Sequence, residues 1–231
     1  MEPKSIHTYL DSQISDVYAY EVDVCITHFP QLIERSWLYY FSLQVNFTDH
    51  DEWSHGGFQW SNTPEFRDNG NKGVNWGGGS DWAGYGGIGV NNIPFRWECG
   101  RWYRYRVCRV DDDLDGNHRW QFTVLDYVTR EVHQFGTVRT KSYCIAKAVV
   151  FTETGYGVRC DSPTARVEWR NPYLYTPLEK AKPQKIVANY NGTCSNPTNT
   201  NQGLLSSYPI VWFHQTNTQR IIEPNTCIWP T

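Results

Sequence analysis

The sequence predicts an all-β protein in which two antiparallel sheets pack face to face as a sandwich or jelly roll. Three observations support this class: short segments alternate apolar and polar residues with a period of two, turn residues separate them, and no helical stripe of useful length occurs. Aromatic residues make up 16% of the chain and include 11 Trp. Because aromatic side chains suit the pleated surface of a sheet, the composition also favours strands.

The predicted strands each present one face to the core and the other to solvent. They cover residues 17–26, 38–47, 56–60, 102–110, 119–126, 147–152 and 165–171. The clearest hairpin joins 102–110 to 119–126, since the acidic segment 111–117 between them supplies turn residues. The core-facing residues of this hairpin are expected to be Tyr103, Tyr105, Val107, Trp120, Phe122 and Val124.

The composition changes after Tyr175, and this change predicts two parts. Residues 1–176 are expected to form the sandwich, and residues 177–231 a linker and C-terminal extension packed on it, because the apolar clusters of the extension are too small for a separate core. We expect a Cys194–Cys227 disulfide to staple the extension and to stabilise it by roughly 3–4 kcal/mol. The pairing of the other five cysteines stays open: Cys25, Cys99, Cys108, Cys144 and Cys160.

Charge and hydropathy restrict the partners. A net charge of −3 gives no basic footprint for nucleic acid. No apolar run approaches the ~20 residues that cross a bilayer, so no membrane span is expected. The numbered chain opens without a signal peptide, but the seven cysteines and the Asn-x-Thr acceptor sites at Asn46 and Asn191 favour a secreted, extracellular or periplasmic location.

A segment rich in Trp, Tyr and Gly follows residue 53, and it predicts a binding surface in a loop over 73–92. Glycine allows the backbone to approach a partner closely, while Trp and Tyr offer flat apolar faces with a polar edge. Long loops are usually functional or disordered. The alternative is a surface loop whose aromatic side chains pack onto the domain.

Four motifs carry a resemblance to a known fold family. They are Gly56-Gly-Phe-Gln59, Trp97-x-x-Gly-x-Trp-Tyr-Arg-Tyr-Arg-Val107, Trp120-x-Phe-x-Val-x-Asp126 and Ala165-Arg-Val-Glu-Trp-Arg-Asn-Pro-Tyr173. Together they resemble a concanavalin A-like jelly roll of an uncharacterised family found mostly in exported bacterial proteins. The resemblance covers roughly residues 15 to 175. It implies a fold shared by lectins, carbohydrate-binding modules, glucan hydrolases and alginate-type lyases, and it implies function only by analogy.

The first functional hypothesis is a carbohydrate-binding, lectin-like module that recognises a glycan or polysaccharide. Sugar rings would stack on aromatic faces while polar side chains hydrogen-bond their hydroxyl groups. The residues expected to bind the ligand are Trp76, Asp81, Trp82, Tyr85, Gln59, Arg104 and Arg106.

Two alternatives stay open beside it. The first is a polysaccharide lyase or glycoside hydrolase with a non-standard catalytic set drawn from Glu21, Asp23 and Glu168. The Glu-x-Asp-x-x-Glu pattern of retaining glucanases is incomplete here, because the last position is Ile26. The second alternative is a protein-interaction or adhesion domain.

No cofactor is expected, and no zinc site, because the seven histidines form no ligand-spaced cluster. Asp111, Asp113 and Asp115 fit the first half of a calcium loop, but Phe122 stands where that loop needs a bidentate Glu. An acidic hairpin turn is therefore the preferred interpretation, with calcium as the alternative.

Overall fold

The computed structural model describes residues 4–31, 37–48, 52–78, 90–112, 116–192 and 197–230. Within them the chain forms sixteen strands and one short helix, α1 (Pro64–Arg67). The strands are β1 (Lys4–Asp11), β2 (Ala19–His28), β3 (Trp37–Phe47), β4 (Trp53–Ser61), β5 (Lys72–Gly78), β6 (Val90–Pro94), β7 (Tyr103–Asp112), β8 (His118–Asp126), β9 (Val132–Thr140), β10 (Ile145–Tyr156), β11 (Arg166–Tyr175), β12 (Lys180–Ala181), β13 (Lys185–Asn191), β14 (Thr200–Ser207), β15 (Ile210–Thr216) and β16 (Thr226–Pro230). No helix among the described residues could span a membrane.

The strands form two antiparallel sheets of eight, so the predicted fold class is confirmed. Sheet A has the order β16-β13-β1-β10-β3-β4-β5-β6. Sheet B has the order β14-β15-β11-β2-β7-β8-β9, and β12 pairs with β11 at its side. Strands β5 and β6 pair with each other, Gly73 opposite Pro94. Residues 73–78 and 90–92 therefore belong to strands of sheet A, so the prediction of a loop over 73–92 is wrong for both of these segments.

The predicted hairpin is present as β7 and β8, with Val107 opposite Phe122. Its apolar residues enter the core between the sheets, as the alternation predicts. Tyr105 also links the two layers, because its hydroxyl donates to Phe41 O at 3.2 Å and accepts from Phe58 N at 2.8 Å. Gly56 lies where the sheets come closest: a Cβ there would stand 2.7 Å from the Phe122 ring.

Residues after 177 extend both sheets. Strand β13 pairs with β1 and β16, and β15 pairs with β11 and β14. A buried polar cluster joins the two layers there: the His214 ring lies 2.7 Å from Thr8 Oγ1 and 3.0 Å from Thr152 Oγ1. Burial, followed by the charge of His7, holds the pKa of His214 well below its usual value. The division into 1–176 and 177–231 stays a prediction.

The predicted Cys194–Cys227 disulfide is wrong. Cys227 is a free cysteine, whereas Cys160 is disulfide-bonded; Cys194 lies outside the described residues. Cys227 belongs to β16, where it stands opposite Val187 of β13. The end of the chain is therefore held by a backbone ladder, a contact that cysteine counting does not detect.

Candidate functional site

Three polar side chains form a row across the outer face of sheet A, the face turned away from sheet B. Glu153 of β10 stands opposite Tyr40 of β3, and Tyr40 stands opposite Gln59 of β4. Their chain neighbours on each strand, such as Phe41 and Phe58, point into the core. Because side chains alternate along a strand, the three residues of this row share the outer face. We call them the Glu153 row.

Two members of the Glu153 row are deeply buried, with Tyr40 3% and Gln59 5% exposed. Among the described residues, Tyr40 Oη and Gln59 Oε1 nevertheless have no hydrogen-bond partner, and neither has the buried Asn75 Oδ1 on the adjacent strand β5. A buried polar atom without a partner costs about 1–3 kcal/mol. Such atoms are rare in folded proteins, and several on one sheet face favour a site that a ligand or substrate completes.

Glu153 is the titrating group of the row. Burial raises the pKa of its carboxyl to about 7, so it exchanges a proton near neutral pH. Burial also raises the pKa of Tyr40; the nearby Ser42 hydroxyl opposes this by a lesser amount, and the charge of Glu153, the smallest of the three causes, raises the pKa. Because its pKa is raised, the Tyr40 phenol is protonated near neutral pH and can donate a hydrogen bond. The Ser42 hydroxyl donates to Gly56 O at 2.9 Å.

Aromatic and imidazole rings pack around Tyr40 on the outer face of sheet A. The Tyr40 ring packs edge-on against His55 at 5.3 Å and against Phe151 at 5.5 Å between centroids. His7 packs on the other side of Phe151, at 5.8 Å. Burial lowers the pKa of both His7 and His55 to about 4, so both rings are neutral near pH 7. Glu153 is thus a titrating carboxyl in apolar surroundings, the environment typical of catalytic acids and bases.

The outer face of sheet B is organised differently. Asp23 is fully buried, and its carboxylate accepts from Arg104 Nε at 2.8 Å, Arg170 Nε at 3.3 Å and Tyr127 Oη at 2.8 Å. Asn171 Nδ2 donates to the same group at 2.9 Å. Every side of this carboxylate is therefore occupied by a protein donor.

The other two carboxylates of the alternative catalytic set are also paired. Glu21 accepts from Arg106 Nη1 and from Tyr175 Oη, both at 2.6 Å. Glu168 lies 3.5 Å from Arg166 Nη2. Both oxygens of Glu21 are therefore occupied by protein donors, whereas Glu168 has one long contact from a partly exposed side chain.

Asp23→Ala tests this structural role. The substitution leaves Arg104 and Arg170 without their buried carboxylate, so we expect the free energy of unfolding to fall by about 3–5 kcal/mol. Glu168→Ala breaks a partly exposed pair and should cost at most about 1 kcal/mol. Urea denaturation of both variants measures the difference. Equal losses in the two variants would contradict a structural role specific to Asp23.

The residues predicted to bind a glycan do not converge. Trp76 is fully buried in the core, where its ring stacks on Phe122 at 5.5 Å between centroids. Gln59 lies on the outer face of sheet A, whereas Arg104 and Arg106 lie on the outer face of sheet B. Asp81, Trp82 and Tyr85 lie outside the described residues.

The three aspartates of the proposed calcium loop are placed as follows. Asp111 forms an ion pair with Arg119, which stands opposite it across the β7–β8 hairpin. Asp113 and Asp115 lie outside the described residues. A guanidinium thus holds the first carboxylate, as in the acidic-turn interpretation.

The fold is a sandwich of two eight-stranded antiparallel sheets, with the Glu153 row on one outer face. Two solved structures of similar fold are peptidases. One is scytalido-glutamic peptidase, solved with a peptide-based transition-state analogue: it is 11% identical, the alignment covers 92% of this chain and 96% of that one, and the TM-score is 0.53. Another is SCP-B, a member of the eqolisin family of peptidases, solved with the tripeptide Ala-Ile-His. Its identity is also 11%, with 94% of this chain and 98% of that one covered and a TM-score of 0.51.

No family model and no curated protein matches the chain. At this identity the likeness to solved structures shows the fold alone. The prediction of a carbohydrate-binding module is nevertheless wrong, because the two solved structures of similar fold are peptidases. In addition, Trp76, the one described aromatic residue of those predicted to stack on a sugar, is buried in the core. Sequence reasoning named Gln59 but missed Glu153 and Tyr40. The signal for Tyr40 was present, since the alternation of 38–47 sets it on the face opposite Tyr39 and Phe41.

Proposed function

We propose that this protein is a peptidase that hydrolyses peptide bonds with Glu153 as its acid–base group. The observation that carries the proposal is the Glu153 carboxyl, whose pKa burial raises to about 7, in register with two buried side-chain oxygens, Tyr40 Oη and Gln59 Oε1, that have no hydrogen-bond partner among the described residues. The similarity of fold to glutamic peptidases supports the same class of reaction.

The spacing of the row suits a peptide group. Glu153 and Gln59 are separated by two strand spacings, about 10 Å between Cα atoms. Their side chains point to the same face, which leaves room for a peptide carbonyl and one water molecule between them. In its carboxylate form Glu153 takes a proton from this water while the water oxygen bonds to the carbonyl carbon. The carbonyl π electrons move onto the carbonyl oxygen.

Tyr40 and Gln59 act on the substrate in this arrangement. The phenol O–H and the amide N–H are donors for the oxyanion, and such donors act most strongly in surroundings of low polarity. Gln59 Oε1, which has no partner among the described residues, accepts from a backbone N–H of the peptide. Substrate binding therefore satisfies polar atoms that the fold leaves unpaired.

Glu153 completes the reaction as an acid. The carboxyl, now protonated, gives its proton to the peptide nitrogen as the C–N bond breaks and the oxyanion returns to a carbonyl. The products are a carboxylic acid and an amine, and Glu153 is again a carboxylate. One group performs both proton transfers, which a pKa of about 7 permits because both forms are populated near neutral pH.

Gln59→Leu tests the role of the amide. Removal of one oxyanion donor lowers kcat by about 10²–10³-fold in hydrolases, and we expect a loss of that size. The assay incubates the purified protein with a peptide mixture and identifies the new chain ends by mass spectrometry. Gln44→Leu is the matched control. Gln44 lies on the outer face of sheet A, as Gln59 does, but its amide donates to Asn46 at 3.1 Å. Absence of new chain ends with the wild-type protein, or full activity in Gln59→Leu, would count against the proposal.

A further inference from the structure

A cavity of about 520 Å³ lies at the end of β4 and β5, where Trp60 and Lys72 point to the inner face of sheet A. Its walls include the rings of Phe29, Trp60 and Trp97 and two basic side chains, Lys72 and Arg96. Aromatic walls with two cations are an arrangement that suits an organic anion.

The cavity is joined to the row through the backbone. Trp60 stands opposite Lys72 in the ladder, one position beyond the pairing of Gln59. Trp97 Nε1 donates to Gln59 O at 3.2 Å. Side chains alternate along β4, so Gln59 points to the outer face of sheet A and Trp60 to the inner face; the row and the cavity share backbone but lie on opposite faces of the sheet.

Lys72 is held at the cavity wall without an acidic partner. Its Nζ donates to Trp97 O at 2.8 Å and lies 4.7 Å from the Trp97 ring centroid. Within the part of the chain that the structure describes, no ion pair involves Lys72. Burial lowers the pKa of Lys72, while the nearby Cys99 and Glu98 oppose that shift. Because an ammonium group has three N–H donors, two remain for a ligand.

Arg96 is fixed next to Lys72 by a side-chain amide. Asn69 accepts from Arg96 Nε at 3.1 Å, and its Nδ2 donates to Lys72 O at 2.7 Å. Glu98 is the carboxylate at this cavity, and it lies 3.3 Å from Arg101 Nη1 with its side chain 66% exposed. Among the described residues no ion pair joins Glu98 to Lys72 or Arg96, although its charge acts on the pKa of Lys72.

We propose that this cavity binds a carboxylate group of a peptide, either an acidic side chain or the C-terminal carboxylate. The Arg96 guanidinium offers a planar pair of donors, and Lys72 adds a point charge. Phe29 and Trp60, which is 8% exposed, face the apolar part of the residue that bears the carboxylate, while Trp97 is fully buried next to Lys72. The identity of this peptide as a substrate rests on the proposed function, whereas its binding to the cavity does not.

Isothermal titration calorimetry with the full-length Glu153→Gln protein tests the site without cleavage. Three forms of one short peptide are compared: neutral with an amidated C-terminus, neutral with a free C-terminal carboxylate, and amidated with one internal Glu. We expect at least one carboxylate form to bind about tenfold more tightly than the neutral form, the size of a charged hydrogen bond. The form that gains affinity identifies the source of the carboxylate.

Arg96→Gln and Lys72→Met, each added to this background, should remove the gain and leave the Kd of the neutral peptide unchanged. Arg67→Gln is the matched control, an exposed cation of α1 outside the cavity. If Lys72→Met does not fold, the exposed Arg96 decides the question alone. Equal affinity for all three peptides, no binding of any, or a gain that survives in Arg96→Gln would overturn the proposal. None of these results depends on hydrolysis, so a failure of the proposed function is recognised separately.

Discussion

Glu153→Gln is expected to lower kcat/KM for peptide hydrolysis by about 10²–10⁴-fold, the loss typical of a removed general acid–base group. Glutamine keeps the size of the side chain but cannot take up or release a proton. The wild-type rate should also follow the titration of one carboxyl: because the base form carries the first step, kcat/KM should rise with pH up to about 7 and then level off. Steady-state kinetics from pH 4 to 9 measure both effects.

The matched control for this experiment is Glu168→Gln. Glu168 is also a partly buried glutamate on an outer sheet face, but it belongs to sheet B and pairs with Arg166. We expect its kcat/KM to stay within about twofold of the wild-type value, since it lies away from the row. Loss of activity in Glu168→Gln with activity retained in Glu153→Gln would move the active site to sheet B.

The second large effect is on the pH dependence of stability. His7 and His55 have pKa values lowered by burial to about 4. They contribute stability above pH 6.5, and this contribution is lost as the pH falls towards 4, by about 3 kcal/mol for each histidine. Glu153 acts in the opposite sense: its raised pKa contributes stability below pH 4.5 that is lost, by about 3 kcal/mol, as the pH rises through 7.

The two histidines outweigh the one carboxyl, and His214, whose pKa burial also lowers, acts in the same direction, so the free energy of unfolding should fall by at least about 2 kcal/mol between pH 7 and pH 4.5. In Glu153→Gln the opposing carboxyl is absent. The variant should match the wild-type protein at pH 4.5 and exceed its stability by up to about 3 kcal/mol at pH 8. Urea denaturation at four pH values measures this, with Glu179→Gln as the control at an exposed carboxyl. Parallel curves for the wild-type protein and Glu153→Gln would show that Glu153 is not buried as described.

Much of the fold could be predicted because a strand with one buried face carries its own pattern. The alternation of Tyr103, Tyr105 and Val107 assigned both the β7–β8 hairpin and its core face correctly. The contribution of residues 177–231 to both sheets was harder to detect, since β16 has only five residues and β13 carries polar residues at four of its seven positions. Pairing with β1 decides their position, and that pairing joins residues more than 170 positions apart. The concanavalin A-like resemblance and an exported location stay predictions.

The candidate site could be predicted only in part. Gln59 was assigned to a polar face by alternation, but its partners were sought in the glycine-rich segment. Glu153 joins the same row through two strand registers, β10 with β3 and β3 with β4. Such registers cannot be read from spacing along the chain. Trp76 was misassigned for the opposite reason: its glycine neighbours suggested a loop, whereas small residues also let strands approach closely in a packed sheet.

The most direct test of the account is a crystal structure of the full-length protein with a peptide whose scissile amide is replaced by a non-cleavable reduced isostere. The account predicts that the peptide crosses the outer face of sheet A, with the replaced bond between the Glu153 carboxyl and the Gln59 amide and within hydrogen-bond distance of both. A peptide bound on the outer face of sheet B, or one whose replaced bond lies away from Glu153, would contradict it.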